Sequence, residues 1–373
     1  MNSSLPMLPI LRDEIRAAGG RISFARFMEL CLYHPQHGYY NSPRTKLGKQ
    51  GDFYTNMHLG PVYARILARH FLASWETLGK PARFDLVEMG PGDGQFAREL
   101  LPRVRQRFPD FAATLRYTAV EQSPRLRASL EQALAVTGAP FQVLPDLPEN
   151  SAITGCILGH EFFDALPVHI LVWRGGKWQE RFVGLGGLHD DDLVWREDDP
   201  SDWNLIPEAE KRFEDDLPAE AREDGWQAEV SPAAASWAAK LSGALVRGEL
   251  LVIDYGYTLD EWRLGRFREG SAMGYREHRA STDLLATPGD QDLTAHVNFD
   301  LLLEAIPKDA GKPDIRLRSQ SRFLIEVGEA DQFADVFLDC SGENERLQRT
   351  RQLKSLILPE GMGTTFQVFQ QRS

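Results

Sequence analysis

Cysteine is scarce in this chain. The three present, Cys31, Cys156 and Cys340, are odd in number, far apart and never in C-x-x-C spacing. That argues against a disulfide framework or a zinc site and favours a reducing compartment. Long apolar runs are missing as well: no segment approaches the roughly 20 residues of a membrane span. The first residues, Met1 to Pro6, lack the basic start and apolar stretch of a secretion signal. Positive charge is in deficit, with 42 Lys and Arg against 54 Asp and Glu and a net charge of −12, so nonspecific binding to nucleic acid or an anionic membrane is disfavoured. There is no internal repeat and no low-complexity linker. These absences set the expectation of a soluble, cytoplasmic protein without a metal site, and 373 residues of 42% hydrophobic content can fill a large α/β domain plus an additional lobe.

What is present is concentrated between residues 84 and 121. Phe84-Asp85-Leu86-Val87-Glu88-Met89 is an apolar run of strand length, Gly90-Pro91-Gly92-Asp93-Gly94 is a tight turn, and Gln95 to Leu101 has helical spacing. The spacing is G-x-G-x-G rather than the G-x-G-x-x-G of dinucleotide sites. Glycines allow close backbone approach to any ligand, so charge must discriminate. Glu88 before the loop and Asp93 within it repel a pyrophosphate, and no Lys or Arg lies between Arg83 and Arg98. The same acids attract an ammonium and a sulfonium, which favours S-adenosylmethionine over a nicotinamide. A second run, Tyr117 to Val120, ends in Glu121, placed to accept both ribose hydroxyls.

The rest of the chain supplies the surroundings. Residues 1–80 read as a helical N-terminal region: Ser23 caps a helix bearing Phe24, Phe27, Met28, Cys31 and Leu32, and Pro61 opens another with His70 on its packed face. Between them, Asn41 to Gly51 with Arg44, Lys46 and Lys49 reads as a lid or as a solvated connection. Residues 81–167 form the first part of a cofactor-binding sheet. Phe141 to Leu144 is its third strand, and Asp146, before Leu147, either faces an adenine amino group or simply forms a turn between two prolines. A fourth strand, Ile153 to Leu158, delivers His160, Glu161 and Asp164 to the carboxyl edge of the sheet, where ligands bind. Residues 168–230 are an insertion: a hairpin around Gly175-Gly176, then an acidic segment taken as solvated surface. Residues 231–373 return to the sheet, with a long irregular segment at 256–297, a strand at Glu249 to Tyr257, a helix capped by Asn298 and a closing strand from Thr364.

Several segments together resemble one known family. They are Gly38-Tyr39-Tyr40, Gly51-Asp52-Phe53 with Thr55, Glu88-x-Gly90-Pro91-Gly92-x-Gly94, Glu121-x-Ser123-Pro124, Glu161-Phe162-Phe163-Asp164-Ala165-Leu166-Pro167, Ile253-Asp254-Tyr255-Gly256, Pro288-Gly289, Asp292-Leu293-Thr294-Ala295-His296-Val297 and Met362-Gly363. Spread over nearly the whole chain, they resemble the MidA-type S-adenosylmethionine-dependent methyltransferases, whose mitochondrial members assist respiratory complex I assembly and methylate an arginine in one of its subunits. The resemblance implies a Rossmann-like α/β methyltransferase fold with a helical N-terminal region and an inserted cap lobe. It also implies a protein substrate, with a complex I subunit as the named candidate; monomer and homodimer both stay open. Where the family has Asn this chain has His160, where it has a small residue, Pro and Glu it has Asn56-Met57-His58, and Asn298 replaces a common Asp.

Together these readings place the cofactor against Glu88, Gly90, Pro91, Gly92, Asp93, Gly94, Glu121, Asp146, Leu147, His160 and Thr55. Glu161 and Asp164 are expected to clamp a guanidinium through paired hydrogen bonds, with His296 near the same site. A cap on the following turn is the other reading of Asp164, and a structural hydrogen bond that of His296. The imidazoles at positions 58 and 160 keep a rival open, an assembly scaffold that retains the fold with weak or no catalysis.

Overall fold

The structure, a computed structural model, describes residues 5–42, 60–187, 191–213, 222–307 and 314–373. Thr55, His58, the acidic run Glu214 to Asp216 and most of the 41–51 loop therefore lie outside the described residues.

The strand that precedes the glycines, Phe84–Met89, is buried along its full length and stands in the middle of an eight-stranded sheet. On one side it pairs in parallel with Leu115–Val120, which pairs with Phe141–Leu144. On the other it pairs in parallel with Ile153–His160, followed by Leu245–Tyr257. Phe366–Arg372 and Asp314–Ser319 complete that side as antiparallel strands, and Val297–Asn298 adds to Leu245–Tyr257 off the main path. Strand order thus reverses between Phe84–Met89 and Ile153–His160. Open α/β sheets bind ligands at such a reversal, outside the carboxyl ends.

Alternation along Phe84–Met89 divides two cores. Phe84 and Leu86 join one with the helices Pro61–Thr77 and Gln95–Arg107, while Val87 and Met89 join another with the helix Pro232–Ala244. Each buried large aliphatic or aromatic side chain contributes roughly 1.5–3 kcal/mol through lost water contact. His70 is packed as expected, against Phe71 and Phe323, and its Nε2 also lies 2.8 Å from the buried Glu249 carboxylate. Ser23 and Asn298 cap their helices by accepting backbone N–H bonds from Arg26 and Asp300.

Two expectations are corrected. The acidic stretch from Gly184 to Glu229 is not merely solvated surface: Asp192–Asp198 and Gln227–Val230 extend the hairpin Lys177–Gly186 and His169–Arg174 into a five-stranded sheet. Its fifth member is Arg21–Ser23, so the N-terminal region and the insertion share backbone pairing. Glu208 and Glu229 within this stretch are buried. Residues 256–297 are also more ordered than their sequence suggested, because Met273–Arg276 pairs with both Arg279–Ser281 and Asp292–Thr294 in a small antiparallel sheet. Their periodicity is hidden by short strands of two to four positions, too brief for an alternation to register.

Candidate functional site

A cavity of about 470 Å³ lies at the reversal point, against the carboxyl ends of the two central strands. Gly90 to Asp93 form one wall and residues 160–166 the facing one. Gly90, Gly92 and Gly94 have φ of 61°, 58° and 73°, which L side chains resist. A Cβ at Gly94 would stand 2.6 Å from Leu130, and one at Gly90 3.2 Å from Phe162. Asp93 Oδ1 accepts the Gln95 N–H at 3.0 Å, which fixes the loop on the helix. Pro91, Gly92 and Asp93 line the cavity; Gly94 and Leu147 lie behind the wall. Glu88 also lies behind it, on the face shared with Phe84 and Leu86, and accepts the Tyr117 hydroxyl. Burial lifts the Glu88 carboxyl to about 7.

Glu121 is on the wall at the end of the second strand, and its Oε1 accepts the Ser123 N–H at 2.7 Å. Burial raises it to about 7 against the Ser123 bond and the nearby charges of Arg127 and Arg125. Asp146 reaches the same end of the cavity, but Lys240 donates to both of its oxygens at 2.8 and 3.0 Å. The Lys240 ammonium lies 4.6 Å from the Trp237 ring centroid, and Trp237 lines the cavity beside Phe162, ring to ring at 5.4 Å.

The facing wall is held by a carboxylate in the neighbouring strand. Asp254 is fully buried; its Oδ2 accepts the N–H groups of Phe163 and Asp164 at 2.9 and 3.3 Å, and its Oδ1 that of Tyr255 at 2.8 Å. Glu161 turns the chain with φ of 50°, rare outside glycine, and donates its N–H to Ile253 at 3.0 Å. His160 ends the strand, its Nδ1 3.5 Å from Glu161 and its ring near Phe366 and Tyr63. Burial, with Asp254 adding like charge, holds the Asp164 carboxyl well above the usual carboxylate range, and burial raises Asp254 too.

The third wall comes from remote parts of the chain. Tyr33, Tyr39 and Tyr40 face it from the N-terminal region, and Asp292 and Thr294 from the small sheet. Tyr33 donates to the Ala165 carbonyl at 2.8 Å, and the Ala295 N–H donates to the Asp164 carbonyl at 2.9 Å. His296 does not reach the cavity wall; its ring packs between Tyr255 and Phe267 at centroid distances of 6.2 and 5.0 Å, and burial together with Arg266 lowers it to about 4. Tyr33, Trp237, Asp254 and Asp292 were not among the site residues expected from sequence. Asp254 carried a signal: an acid inside the apolar run Leu250 to Tyr257 is expensive unless it is used. Trp237 stood out only as the aromatic in a helix of small residues.

Among the described residues, Asp93, Glu121, Asp146, Glu161, Asp164 and Asp292 line the cavity and no Lys or Arg does. Such a wall fits a ligand carrying ammonium and sulfonium charges, and the three left-handed glycine positions leave room for it to approach the backbone. No group of three or more His, Cys, Asp and Glu is arranged to hold a metal among the described residues, and no helix there is long and apolar enough to cross a membrane.

Known proteins agree with this geometry. A family model described as "Putative S-adenosyl-L-methionine-dependent methyltransferase" matches residues 66–313. The human protein arginine methyltransferase NDUFAF7, mitochondrial, is 32% identical over 99% of this chain and 83% of its own length. The Drosophila melanogaster homolog of that protein is 27% identical over 95% of this chain and 83% of its own length. A Burkholderia thailandensis crystal structure bound to S-adenosyl-homocysteine superposes with a TM-score of 0.83 at 28% identity, over 98% of this chain and 92% of that one. The cytoplasmic location expected from the sequence does not stand, because the human, zebrafish and fly relatives are all named as mitochondrial proteins.

Proposed function

The chain belongs to the family of S-adenosyl-L-methionine-dependent methyltransferases, and on that premise we propose that it methylates an arginine side chain of a protein partner. The observation that carries this reading is the cavity lining, whose Asp and Glu side chains face no Lys or Arg among the described residues and which adds three tyrosines on its third wall. The relatives named protein arginine methyltransferases support it. A respiratory complex I subunit is the partner that the family resemblance suggests, and it is part of the proposal.

Bound S-adenosylmethionine supplies a methyl group activated by a neighbouring positive sulfur. The chain's residues then have three tasks. Pro91, Gly92 and Asp93 would seat the donor with Glu121 on its ribose, Asp146 and Trp237 at the adenine end and His160 beside the reacting end. Glu161 and Asp164 would orient the guanidinium, whose charge cannot be shed at neutral pH in advance, so alignment carries much of the rate. Adding a methyl cation to a guanidinium raises its charge by one, and one N–H proton must leave. Asp164, whose burial favours the protonated form, is suited to take that proton once the incoming positive charges have ionised it.

The test is transfer of labelled methyl to a cellular extract, with the modified residue identified by mass spectrometry. Methylarginine is expected with the wild type. Glu161→Gln should bind the methyl donor within about threefold of normal yet transfer at least about a hundredfold more slowly. Unchanged transfer by that variant would sink the assigned role, and label on lysine alone would sink the arginine reading. Donor binding with no transfer to any protein would favour the scaffold.

A further inference from the structure

We infer that Asp292, held by Tyr40, is a third carboxylate of the substrate subsite, supplied by a different element from Glu161 and Asp164, and restricts it to a guanidinium. The inference rests on the arginine reading above and goes beyond it by naming what discriminates arginine from lysine.

Asp292 begins the strand Asp292–Thr294, opposite Tyr275 in the small antiparallel sheet. It is 7% exposed and lines the cavity. The Tyr40 hydroxyl donates to its Oδ1 at 2.9 Å, which sets the orientation of the carboxylate. Tyr40 is itself anchored: Ser123 and Arg125 donate to its carbonyl, each at 3.2 Å, and its ring packs on Tyr33 at a centroid distance of 5.5 Å. The same strand is tied to the loop bearing Asp164 through the Ala295 bond to the Asp164 carbonyl. Asp292 and Asp164 thus approach one space from two supports that are fixed to each other.

The chemistry of the occupant follows. An ammonium is a compact point charge that one carboxylate satisfies. A guanidinium has five donors in a plane, so it can present different edges to two carboxylates while its faces lie on aromatic rings. Carboxylates from two separate elements, the 160–166 loop and the small sheet, with tyrosines 33 and 40 lining the same cavity, match the second shape. Asp292 would be the binding residue and Tyr40 the positioning residue.

The experiment uses the full chain saturated with S-adenosyl-homocysteine, titrated with acetyl-Gly-Arg-Gly-amide and acetyl-Gly-Lys-Gly-amide by calorimetry. Wild type should bind the arginine peptide at least about tenfold more tightly than the lysine peptide. Asp292→Asn should lose about tenfold of the arginine affinity while S-adenosyl-homocysteine affinity stays within about twofold. Tyr40→Phe, which keeps the carboxylate and removes only its anchor, should lose about threefold and stand in if Asp292→Asn melts early. Arginine-peptide affinity unchanged in Asp292→Asn or, if that variant does not fold, in Tyr40→Phe overturns the inference and leaves the arginine reading intact. Wild type binding neither peptide, or both equally, overturns the two together. Parallel loss of S-adenosyl-homocysteine affinity assigns Asp292 to the donor side and also overturns the inference.

Discussion

The proposed donor wall and the proposed substrate wall of one cavity are built in opposite ways. Apart from Asp146 and Trp237 at one end and His160 at the other, the donor wall is contiguous: strand, glycines, helix, strand and Glu121 all fall within residues 84–121. The substrate wall is collected from the N-terminal region, the 160–166 loop and the small sheet, and is held by hydrogen bonds such as Tyr33 to Ala165 across 132 residues of sequence. On that assignment, donor binding is a local property of the chain and substrate selection a property of its tertiary assembly. Changes on one side should leave the other intact.

The strongest challenge to that separation is Gly92→Val. A β-branched side chain at φ of 58° adds about 1–2 kcal/mol of strain and blocks the backbone approach, so donor affinity should fall about a hundredfold. Arginine-peptide binding to the free protein should change little; calorimetry with both ligands reads the two effects. From the other side, Asp254→Ala strands the N–H groups of Phe163 and Asp164, at about 1–3 kcal/mol for each buried donor. Turnover should fall about thirtyfold with donor affinity within about threefold. An equal loss of both would join the walls into one unit.

A smaller effect comes from pH. Burial holds the Glu121 carboxyl at about 7, above its ordinary 4.5, so its folded form prefers the proton. The stability it contributes is present at low pH and lost as pH rises from 4.5 to about 7. Donor binding needs the ionised form and should weaken by up to about tenfold per unit below about pH 7, with proton release during binding in that same range. Glu121→Gln should bind more weakly and flatten the profile. The smallest expected change is Asp146→Asn: its carboxylate is 59% exposed and already engaged by Lys240, so donor affinity should shift by only about twofold.

How far the sequence could be read follows the same division. The glycine loop, its flanking strands and Glu121 were legible because local spacing and charge sufficed. Asp146 was visible as a cavity residue, but its partner Lys240 lies 94 residues away and left no local mark. His296 belongs to a recognisable segment, yet only the packing of Tyr255 and Phe267 shows that its ring stops short of the cavity. Glu88 was read for its charge, and it was the alternation of its strand that turned it toward Tyr117. Asp292 was quoted within a motif, but nothing local reveals that Tyr40 reaches it.

The pairing of Arg21–Ser23 with Lys177–Gly186 has a consequence for biosynthesis. Met7, Leu11, Ile15 and Phe27 leave the ribosome early, but the residues that cover them include Val168, Ile170 and Val183. At translation speeds of about 5–20 residues per second, those apolar faces wait on the order of ten seconds for their partners. The helices Met7–Ala17 and Phe24–Tyr33 are therefore open to proteases and chaperones during that interval, and Tyr33, which donates to the Ala165 carbonyl, reaches its final position only after Phe84–Met89 and Ile153–His160 have been made.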